Sequence, residues 1–412
     1  MKVWILQTGE PLQIDNSGLR PMRAINLSNI LIEKNHNVVI WSTDFDHFLK
    51  KHRFGKNKKI NFSKNLQFRI LSSIGYKNNI GFARLFDHIQ IAFNLKRMLA
   101  KNDKPDVAFI GYPPIEIAWV LARWLKKNNV PFLVDVKDAW PELFIRAFPI
   151  RLQKFAKILF TPQSYMMRYI FKNATGISAP TNEFLNWCLD RTGRTRNNFD
   201  QVNPLTSPQI NFSQEKNLEA DTWLDGLNIK KDETLRLSFV GTLNSNYDFK
   251  PILFAAKELQ VEFVIAGEGP LYKELKKQCE HLSNVKILGW ITMVQARRLM
   301  DRTSLVVIPL RDTFDFKLNI TNKFYDAFLN NKPILTSLSG SAESLINKYD
   351  IGFKFDINDI SDLKNVLKSI INEKEQLVTK GNNARNLFEN EYSYTEVYSR
   401  IVSNLERLNE KA

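Results

Sequence analysis

The sequence predicts an α/β protein made of two doubly wound domains. Short apolar segments alternate with longer segments whose apolar residues recur at helical spacing, and this alternation occurs twice along the chain. The pattern is typical of parallel strands joined by right-handed helical crossovers, with helices on both faces of each sheet. A length of 412 residues fits two domains, and a hydrophobic content of 44% is enough to form their cores.

The first domain is predicted to span residues 1–205. Apolar runs predict strands at 3–6, 37–42, 65–70, 106–110, 131–136 and 175–178. Helical spacing of apolar residues predicts helices at 20–34, 84–101 and 114–128, with a further helix start near residue 181.

The second domain is predicted to span residues 206–390. A polar stretch with two prolines, residues 204–234, is the expected linker. Strands are then predicted at 235–240, 261–266, 285–288, 305–309, 333–337 and 351–353. Helices are predicted at 248–259, 271–281, 293–301, 322–330, 359–373 and 374–391. A final amphipathic helix at 392–409, in a segment covering 391–412, is expected to pack back on the first domain.

The net charge of +15 limits the classes of partner that we expect for this protein. It fits nucleic acid, an anionic membrane surface, or phosphorylated small molecules. Nucleic acid is disfavoured because the chain has no Arg-rich helix and no zinc or RNP motif, and its lysines are spread along the sequence.

Histidine and cysteine usage argues against a metal centre. The five histidines and two cysteines show no HxH, HExxH or paired-Cys spacing, so we expect neither a metal nor a bound cofactor. The cysteines are far apart, which favours a reducing compartment. The apolar residues 1–6 are too short for a secretory signal, and no apolar run approaches the roughly 20 residues of a transmembrane helix. We therefore expect a cytoplasmic protein, either soluble or peripheral to a membrane.

Residues 151–172 mix aromatic and aliphatic side chains with Lys and Arg. This composition is typical of an amphipathic helix that lies in a bilayer interface, here an anionic one. A helical hairpin packed on its own domain would show the same pattern, and the sequence leaves both interpretations open.

Asp138 is the strongest candidate for chemistry in the first domain. It follows the strand at 131–136, and Trp140-Pro141 stiffens the turn after it. Ligands of open α/β sheets bind outside the carboxyl ends of the strands, where this residue is predicted to lie. An Asp that only caps a helix is the alternative interpretation.

Small residues at strand-to-helix turns predict anion sites in both domains, because backbone N–H groups at a helix start bind anions. In the first domain the turn contains Gly9 and Gly18, and Arg20 or Arg23 could add a fixed charge.

The second domain has three such turns, which together favour a nucleotide site. Lys323 suits a diphosphate and Asp326 suits a ribose, whereas taken singly each could be a solvated surface residue. The candidate residues of these turns are Gly241, Thr242, Gly267, Glu268, Asn322, Lys323 and Asp326.

These motifs, in this order, resemble glycosyltransferase family 4 enzymes, whose GT-B fold has two facing Rossmann-like domains with a cleft between them. The resemblance covers nearly the whole chain and is nearest to bacterial enzymes that build O-antigen, capsule or other surface polysaccharides. Its motifs here are Gly9-Glu10-Pro11, Gly18-Leu19-Arg20-Pro21, the D-x-x-D-x-W-P turn from Asp135 to Pro141, Phe239-Val240-Gly241-Thr242, Ala266-Gly267-Glu268-Gly269-Pro270, Leu288-Gly289-Trp290, and Thr321–Asp326 followed by Asn331-Lys332-Pro333.

The resemblance implies a retaining, metal-independent transfer of a sugar from a UDP- or GDP-linked donor to a glycan or polyprenyl-linked acceptor. It implies that the first domain holds the acceptor, with Asp138 at the reacting groups and with Gly18 and Arg20 closing over the phosphates. It assigns the donor to the second domain, through Gly241, Thr242, Gly267, Glu268, Asn322, Lys323 and Asp326.

Two departures from the family pattern keep alternatives open. Many members have an acidic residue at the position that Leu318 occupies here, and Asp315 could substitute for it. Many members also have an Arg and a Lys at the positions that Thr242 and Tyr247 occupy here. A non-catalytic scaffold of a glycan assembly complex is therefore one alternative. A UDP-sugar 2-epimerase of the same architecture is another, although the scarcity of histidine argues against it.

Overall fold

The computed structural model describes residues 1–15, 20–78, 81–101 and 103–411. The chain folds as two compact units, one formed by Met1–Pro208 with the C-terminal segment from Tyr394, and the other by Gln209–Ser393. Each unit is a mixed α/β structure around a mainly parallel sheet, which confirms the predicted fold class.

The main sheet of the first unit runs in the order β10-β9-β8-β7-β1-β2-β6-β5, and β3 pairs with β4 in a separate hairpin. Its neighbouring strands are parallel except β5 and β6. The sequence analysis missed β5 because its residues are nearly all exposed and show no apolar alternation. The strands are β1 (Lys2–Leu6), β2 (Asn37–Thr43), β3 (Phe45–Asp46), β4 (Lys51–His52), β5 (Lys58–Ser63), β6 (Leu66–Leu71), β7 (Val107–Tyr112), β8 (Phe132–Val136), β9 (Gly176–Ala179) and β10 (Gln201–Val202).

The helices of the first unit differ from the prediction at the start of α1, at α4, which was not predicted, and within residues 151–172. α1 begins three residues later than predicted, because Met22 is extended and caps it. Residues 151–172, for which the sequence leaves a single helix and a helical hairpin open, form two helices: the chain turns at Phe160, and Pro162 lies in the first turn of the second helix, where proline is tolerated. The helices are α1 (Arg23–Glu33), α2 (Phe82–Leu99), α3 (Ile115–Lys127), α4 (Glu142–Ala147), a 3₁₀ turn (Ile150–Leu152), α5 (Gln153–Leu159), α6 (Thr161–Asn173) and α7 (Asn182–Asp190).

The second unit has a parallel sheet in the order β13-β12-β11-β14-β15-β16. Its strands are β11 (Arg236–Val240), β12 (Glu262–Ala266), β13 (Val285–Gly289), β14 (Leu305–Ile308), β15 (Ile334–Thr336) and β16 (Gly352–Lys354). Its helices are α8 (Gln214–Gly226), α9 (Lys250–Glu258), α10 (Tyr272–Cys279), α11 (Met293–Asp301), α12 (Phe314–Leu318), α13 (Asn322–Leu329), α14 (Ser341–Tyr349), α15 (Asp362–Asn372) and α16 (Gln376–Leu387), which a π-helical turn (Phe388–Tyr392) follows.

The predicted linker at residues 204–234 is wrong in part, because it contains α8. Charge pairs hold this polar helix: the carboxylate of Asp221 lies 2.6 Å from a guanidinium nitrogen of Arg298 and 3.0 Å from one of Arg302. α8 buries few apolar residues, so hydrophobic periodicity could not reveal it.

The C-terminal helix α17 (Tyr394–Glu410) packs on the first unit. Its apolar residues, among them Val397, Tyr398 and Ile401, join the core formed by α1, β1 and β7. The hydroxyl of Tyr398 also accepts a hydrogen bond from the Asn26 side chain at 3.2 Å. Along the described residues, no helix is both long enough and apolar enough to cross a bilayer.

Each sheet contains a point where successive crossovers reverse direction. In the first unit this point lies between β1 and β7, and in the second between β11 and β14. A crevice forms at such a point beyond the carboxyl ends of the strands, and ligands of open α/β sheets bind there.

Candidate functional site

A cavity of about 250 Å³ lies at the β1/β7 edge of the first unit. Its walls come from the segments that follow β1, β2, β7 and β8, together with the first turns of α2. The polar residues that line it include Gln7, Glu10, His47, Tyr76, Arg84, Asp87, His88, Lys137 and Asp138.

Asp138 lines this cavity and is exposed, two residues beyond the end of β8. The neighbouring Lys137 forms an ion pair with Glu10. Glu10 also accepts the backbone N–H of Ala24 at 2.9 Å, at the start of α1. The turn after β8 is thereby tied to the turn after β1, and Asp138 lies at their junction.

A buried ion pair supports this edge from inside the sheet. Arg23 is 2% exposed, and its Nε lies 3.2 Å from Oδ2 of Asp135 in β8. Asp135 also accepts a hydrogen bond from the Ser178 hydroxyl at 2.6 Å. Arg23 is therefore a structural residue, which rules out its predicted alternative role as a charge for a ligand. Arg20 is half-buried, and Gly18 lies outside the described residues.

Aromatic rings and cations form one wall of the cavity. The Arg84 guanidinium lies over two rings, 5.4 Å from the centroid of Tyr76 and 5.0 Å from that of Trp140. The ring of His88 stacks on Trp140 at 6.0 Å. Trp140 of the predicted turn is thus a platform between α2 and α4, and it contacts Phe144 at 4.5 Å.

Two of the five histidines line this cavity, which the sequence analysis missed. Burial, together with the nearby charges of Lys50 and Arg84, lowers the pKa of His47 to about 4. Burial, with Arg84 and His47, lowers the pKa of His88 to about 3. Both rings are therefore neutral at pH 7, and His47 Nδ1 is hydrogen-bonded to the Tyr76 hydroxyl at 2.6 Å. A low histidine count was a poor guide, because chain position does not show which histidines meet.

The second site lies at the β11/β14 edge of the other unit. Gly241 ends β11 with φ +153° and Gly267 ends β12 with φ +143°, a region that favours glycine. A Cβ at Gly267 would lie 2.8 Å from the carbonyl carbon of Gly241, so the two turns pack backbone to backbone. The Leu243 N–H donates to the Glu268 carbonyl at 2.9 Å and holds the turns together.

Lys323 occupies the space that Gly241 leaves open. A Cβ at Gly241 would lie 2.7 Å from Cε of Lys323 and closer still to its ammonium group. That ammonium lies 5.1 Å from the ring centroid of Phe239 and 5.3 Å from that of Tyr247. Burial lowers the pKa of Lys323, and the charge of Asp326 opposes this shift. The structure therefore brings Lys323 to the end of β11, on the first turn of α13.

The other predicted residues of this site lie at the same edge. Thr242, Glu268 and Asn322 are exposed, and Asp326 is half-buried one turn along α13. The hydroxyl of Thr321, which begins α13, is buried and has no hydrogen-bond partner among the described residues. A helix start with a cation and such a hydroxyl has the donors that a phosphate group needs.

Of the positions that depart from the family pattern, Tyr247 has a structural role here. Tyr247 is buried against Phe239 and Phe249, and burial raises its pKa to about 12. Asp315, the suggested substitute acid, accepts a hydrogen bond from the Thr313 hydroxyl at 2.7 Å. Within the described part of the chain, no group of three His, Cys, Asp or Glu residues is arranged to hold a metal ion.

Part of the second unit matches a known protein family. Residues 221–387 match the family described as Glycosyl transferases group 1. An uncharacterized glycosyltransferase of Methanocaldococcus jannaschii is 25% identical to the chain over 150 residues. That match covers 36% of this chain and 41% of the relative, so the similarity spans less than half of the relative's length.

Solved structures resemble the chain over nearly its whole length. Sucrose-phosphate synthase from Thermosynechococcus elongatus has a TM-score of 0.72 at 13% identity, with 100% of both chains covered. HepE of Anabaena, solved in complex with UDP and glucose, has a TM-score of 0.64 at 14% identity, covering 99% of this chain and 100% of that one. WaaG, a glycosyltransferase involved in lipopolysaccharide biosynthesis, has a TM-score of 0.60 at 12% identity, covering 97% and 98%.

At these identities the structural likeness shows the fold, which is GT-B. Residues 221–387 of the second unit are similar to the group 1 glycosyl transferases. Together these findings confirm the predicted fold class, and over residues 221–387 they support the resemblance to glycosyltransferases that the sequence motifs indicate.

The two buried histidines predict a pH dependence of stability. In the unfolded chain histidine has a pKa of about 6.5. Below this pH the unfolded state binds protons that the folded state excludes, so the free energy of unfolding falls as the pH drops from about 6.5 toward about 3. The variant His88→Gln should lose less stability over this range, by on the order of 2 kcal/mol at about pH 4.5.

Urea unfolding at a series of pH values measures this difference. His281→Gln, which removes an exposed histidine of the second unit, is the matched control and should follow the wild type. A pH profile of His88→Gln that is superimposable on the wild-type profile would show that His88 does not titrate as its surroundings require.

Proposed function

We propose that the protein transfers a sugar, with retention of configuration and without a bound metal, from a UDP- or GDP-linked donor to a glycan or polyprenyl-linked glycan in the synthesis of a surface polysaccharide such as O-antigen or capsule. The observation that carries the proposal is the position of Lys323 against Gly241, at the carboxyl edge of a sheet whose domain matches the group 1 glycosyltransferases. In this proposal the second unit binds the donor and the first unit binds the acceptor.

In this proposal the second site stabilises the leaving group. As the bond between the sugar carbon and the phosphate oxygen breaks, the departing nucleoside diphosphate gains negative charge. Fixed cations and N–H groups that are already aimed at the developing charge stabilise it most. We assign this role to the Lys323 ammonium and to the start of α13 at Asn322, with Asp326 placed for the ribose hydroxyls and with Gly241, Thr242, Gly267 and Glu268 around the nucleotide.

In this proposal the cavity of the first unit binds the acceptor. As the acceptor hydroxyl oxygen bonds to the sugar carbon, its proton must leave, and we assign Asp138 to that hydroxyl. Tyr76 and Phe48, which line the cavity, supply aromatic surface that a sugar ring can contact. Arg20 and Gly18 are proposed to close over the donor phosphates.

A membrane location accords with a polyprenyl-linked acceptor. Residues 143–182 contain no Asp or Glu, and their basic residues are Arg146, Arg151, Lys154, Lys157, Arg168 and Lys172. α5 exposes Phe155 and Ile158 beside Lys154 and Lys157. Basic and apolar residues on one exposed helix favour binding to an anionic bilayer, so we propose that residues 151–172 hold this cytoplasmic enzyme at the inner face of the plasma membrane.

The alternative functions have unequal support. A UDP-sugar 2-epimerase needs acids and a histidine at its site, and the cavity of the first unit contains both. The low number of histidines in the chain therefore does not exclude an epimerase. The match of residues 221–387 to group 1 glycosyltransferases nevertheless favours transfer. A non-catalytic scaffold is favoured only by the substituted positions Leu318, Thr242 and Tyr247. It would be supported if purified protein released no nucleotide from any UDP- or GDP-sugar and bound none by calorimetry.

Lys323→Ala should weaken donor binding, because the diphosphate loses a charge-assisted contact. We expect the dissociation constant of the nucleotide sugar to rise about 10- to 100-fold, as measured by calorimetry. Lys257→Ala is the matched control, since it removes an exposed lysine from the last turn of α9. Equal affinities of Lys323→Ala and wild type would remove Lys323 from the diphosphate site.

Asp138→Asn should lower turnover by about two orders of magnitude or more, the usual range for loss of a group that handles a proton. Nucleotide binding should persist, because the substitution leaves Lys323, Asn322 and Asp326 of the second unit unchanged. The measurement pairs nucleotide release in the presence of a lipid-linked acceptor with calorimetry of the donor. Full turnover by the variant would show that Asp138 has no catalytic role.

A further inference from the structure

The helix α2 has two faces with different surroundings. One face, with Arg84, Asp87, His88 and Ile91, lines the cavity of the first unit. The other exposes four large apolar side chains, which recur at spacings of four, three and four residues and so form a stripe along three turns. We call this stripe the α2 face. It consists of Phe82, Phe86, Ile89 and Phe93, which are 77%, 60%, 49% and 54% exposed.

The charges around the α2 face are basic. The helix ends in Lys96 and Arg97, both exposed, and the Arg97 guanidinium lies 4.7 Å from the ring centroid of Phe93. The acid of this helix, Asp87, is buried and accepts the N–H groups of Ile74 and Gly75. A row of exposed aromatic residues flanked by cations is complementary to an anionic lipid surface, in which rings insert and cations stay at the headgroups.

The cavity-lining face of α2 is connected by ring contacts to the segment of α5 and α6. Arg84 lies over Trp140, Trp140 contacts Phe144 of α4, and Phe144 stacks on Phe160 between α5 and α6 at 5.8 Å. α2 and α6 also pack on the same helix, α3. Helices α2 and α6 therefore lie on the same layer of helices, both packed on α3, with α5 directly before α6 in the chain.

We propose that the α2 face inserts into the headgroup region of an anionic phospholipid bilayer, as a second membrane contact beside residues 151–172. Because the opposite face of α2 lines the cavity, the cavity would then lie at the bilayer surface. Phe48, which lines the cavity and is 49% exposed, adds an exposed aromatic ring at the cavity itself. This inference deepens the proposed function, since it places the acceptor site where a lipid-linked acceptor is anchored.

Vesicle binding by the full chain tests the inference without donor or acceptor. The test variant is Phe86→Ser/Phe93→Ser, and the matched control is Leu218→Ser/Val378→Ser, whose residues lie in the second unit and are each 67% exposed. Vesicles of phosphatidylcholine with phosphatidylglycerol serve as the probe. We expect the partition coefficient of the test variant to fall by on the order of tenfold or more, since each buried ring contributes to binding, while the control variant binds as the wild type does.

A fluorescent label locates the contact and keeps the test independent of the stability of the serine variants. Both native cysteines are buried, so Phe86→Cys and Val378→Cys each present one accessible thiol for an environment-sensitive dye. The dye at position 86 should brighten when anionic vesicles are added, and the dye at position 378 should not. No brightening at position 86, with vesicle binding intact, would overturn the inference.

A second copy of the chain is the other occupant that the experiment detects. If Phe86→Ser/Phe93→Ser lowered the sedimentation mass without vesicles and left vesicle binding unchanged, the α2 face would join two copies and the membrane assignment would fail. The proposed transfer is assayed separately with a soluble acceptor analogue and no vesicles, where the test variant should keep wild-type turnover. Failure of vesicle binding therefore does not count against transfer, and failure of transfer does not count against the α2 face.

Discussion

A lysine ammonium held in the space beside a glycine is the interaction on which the donor site depends. Any side chain at Gly241 would meet Lys323, and the backbone of Gly241 has a φ angle that favours glycine. Partial burial between two rings lowers the pKa of the lysine, so the cation is held in a poorly hydrated position. An anionic ligand would supply the counter-charge there, and for this reason we interpret the position as a site for a diphosphate.

The same topological constraint shapes both units. Where the crossovers of a parallel sheet reverse direction, the two neighbouring helices lie on opposite faces of the sheet. The turns between these strands and helices then form a crevice in which a ligand can bind. In the first unit the opening lies between β1 and β7 and is lined by aromatic rings, neutral histidines and Asp138. In the second unit it lies between β11 and β14 and is lined by glycine turns and a helix start. In the proposed function the first opening binds the acceptor and the second binds the nucleotide.

Elements with a strong apolar period and a capping signal could be predicted from the sequence. Helix α11 has the predicted bounds, because Thr292 and Gln295 form a capping box at its start. Helix α8 could not be predicted, since Asp221 and its arginine partners are far apart in the sequence. The break between α5 and α6 is compatible with the helical hairpin that the sequence leaves open for residues 151–172, and Pro162 in the first turn of α6 marks where the second helix begins.

The candidate sites were predictable only in part, for a similar reason. Turn residues such as Gly241 and Gly267 follow strands directly, so their shared edge could be inferred from the sequence. The convergence of His47, His88 and Arg84 depends on contacts among segments that follow β2 and open α2, and no local pattern predicts it. The burial of Arg23 against Asp135 likewise depends on the pairing of α1 with the interior of the sheet.

Hydrogen–deuterium exchange of the full chain, with and without a bound nucleotide sugar, tests the central claim most directly. Ligand contacts slow the exchange of the amides they cover. The account predicts slower exchange in the turns at residues 241–243 and 267–271 and in the first turn of α13 when the donor is bound. Donor binding that slowed exchange elsewhere, and left these three segments unchanged, would contradict it.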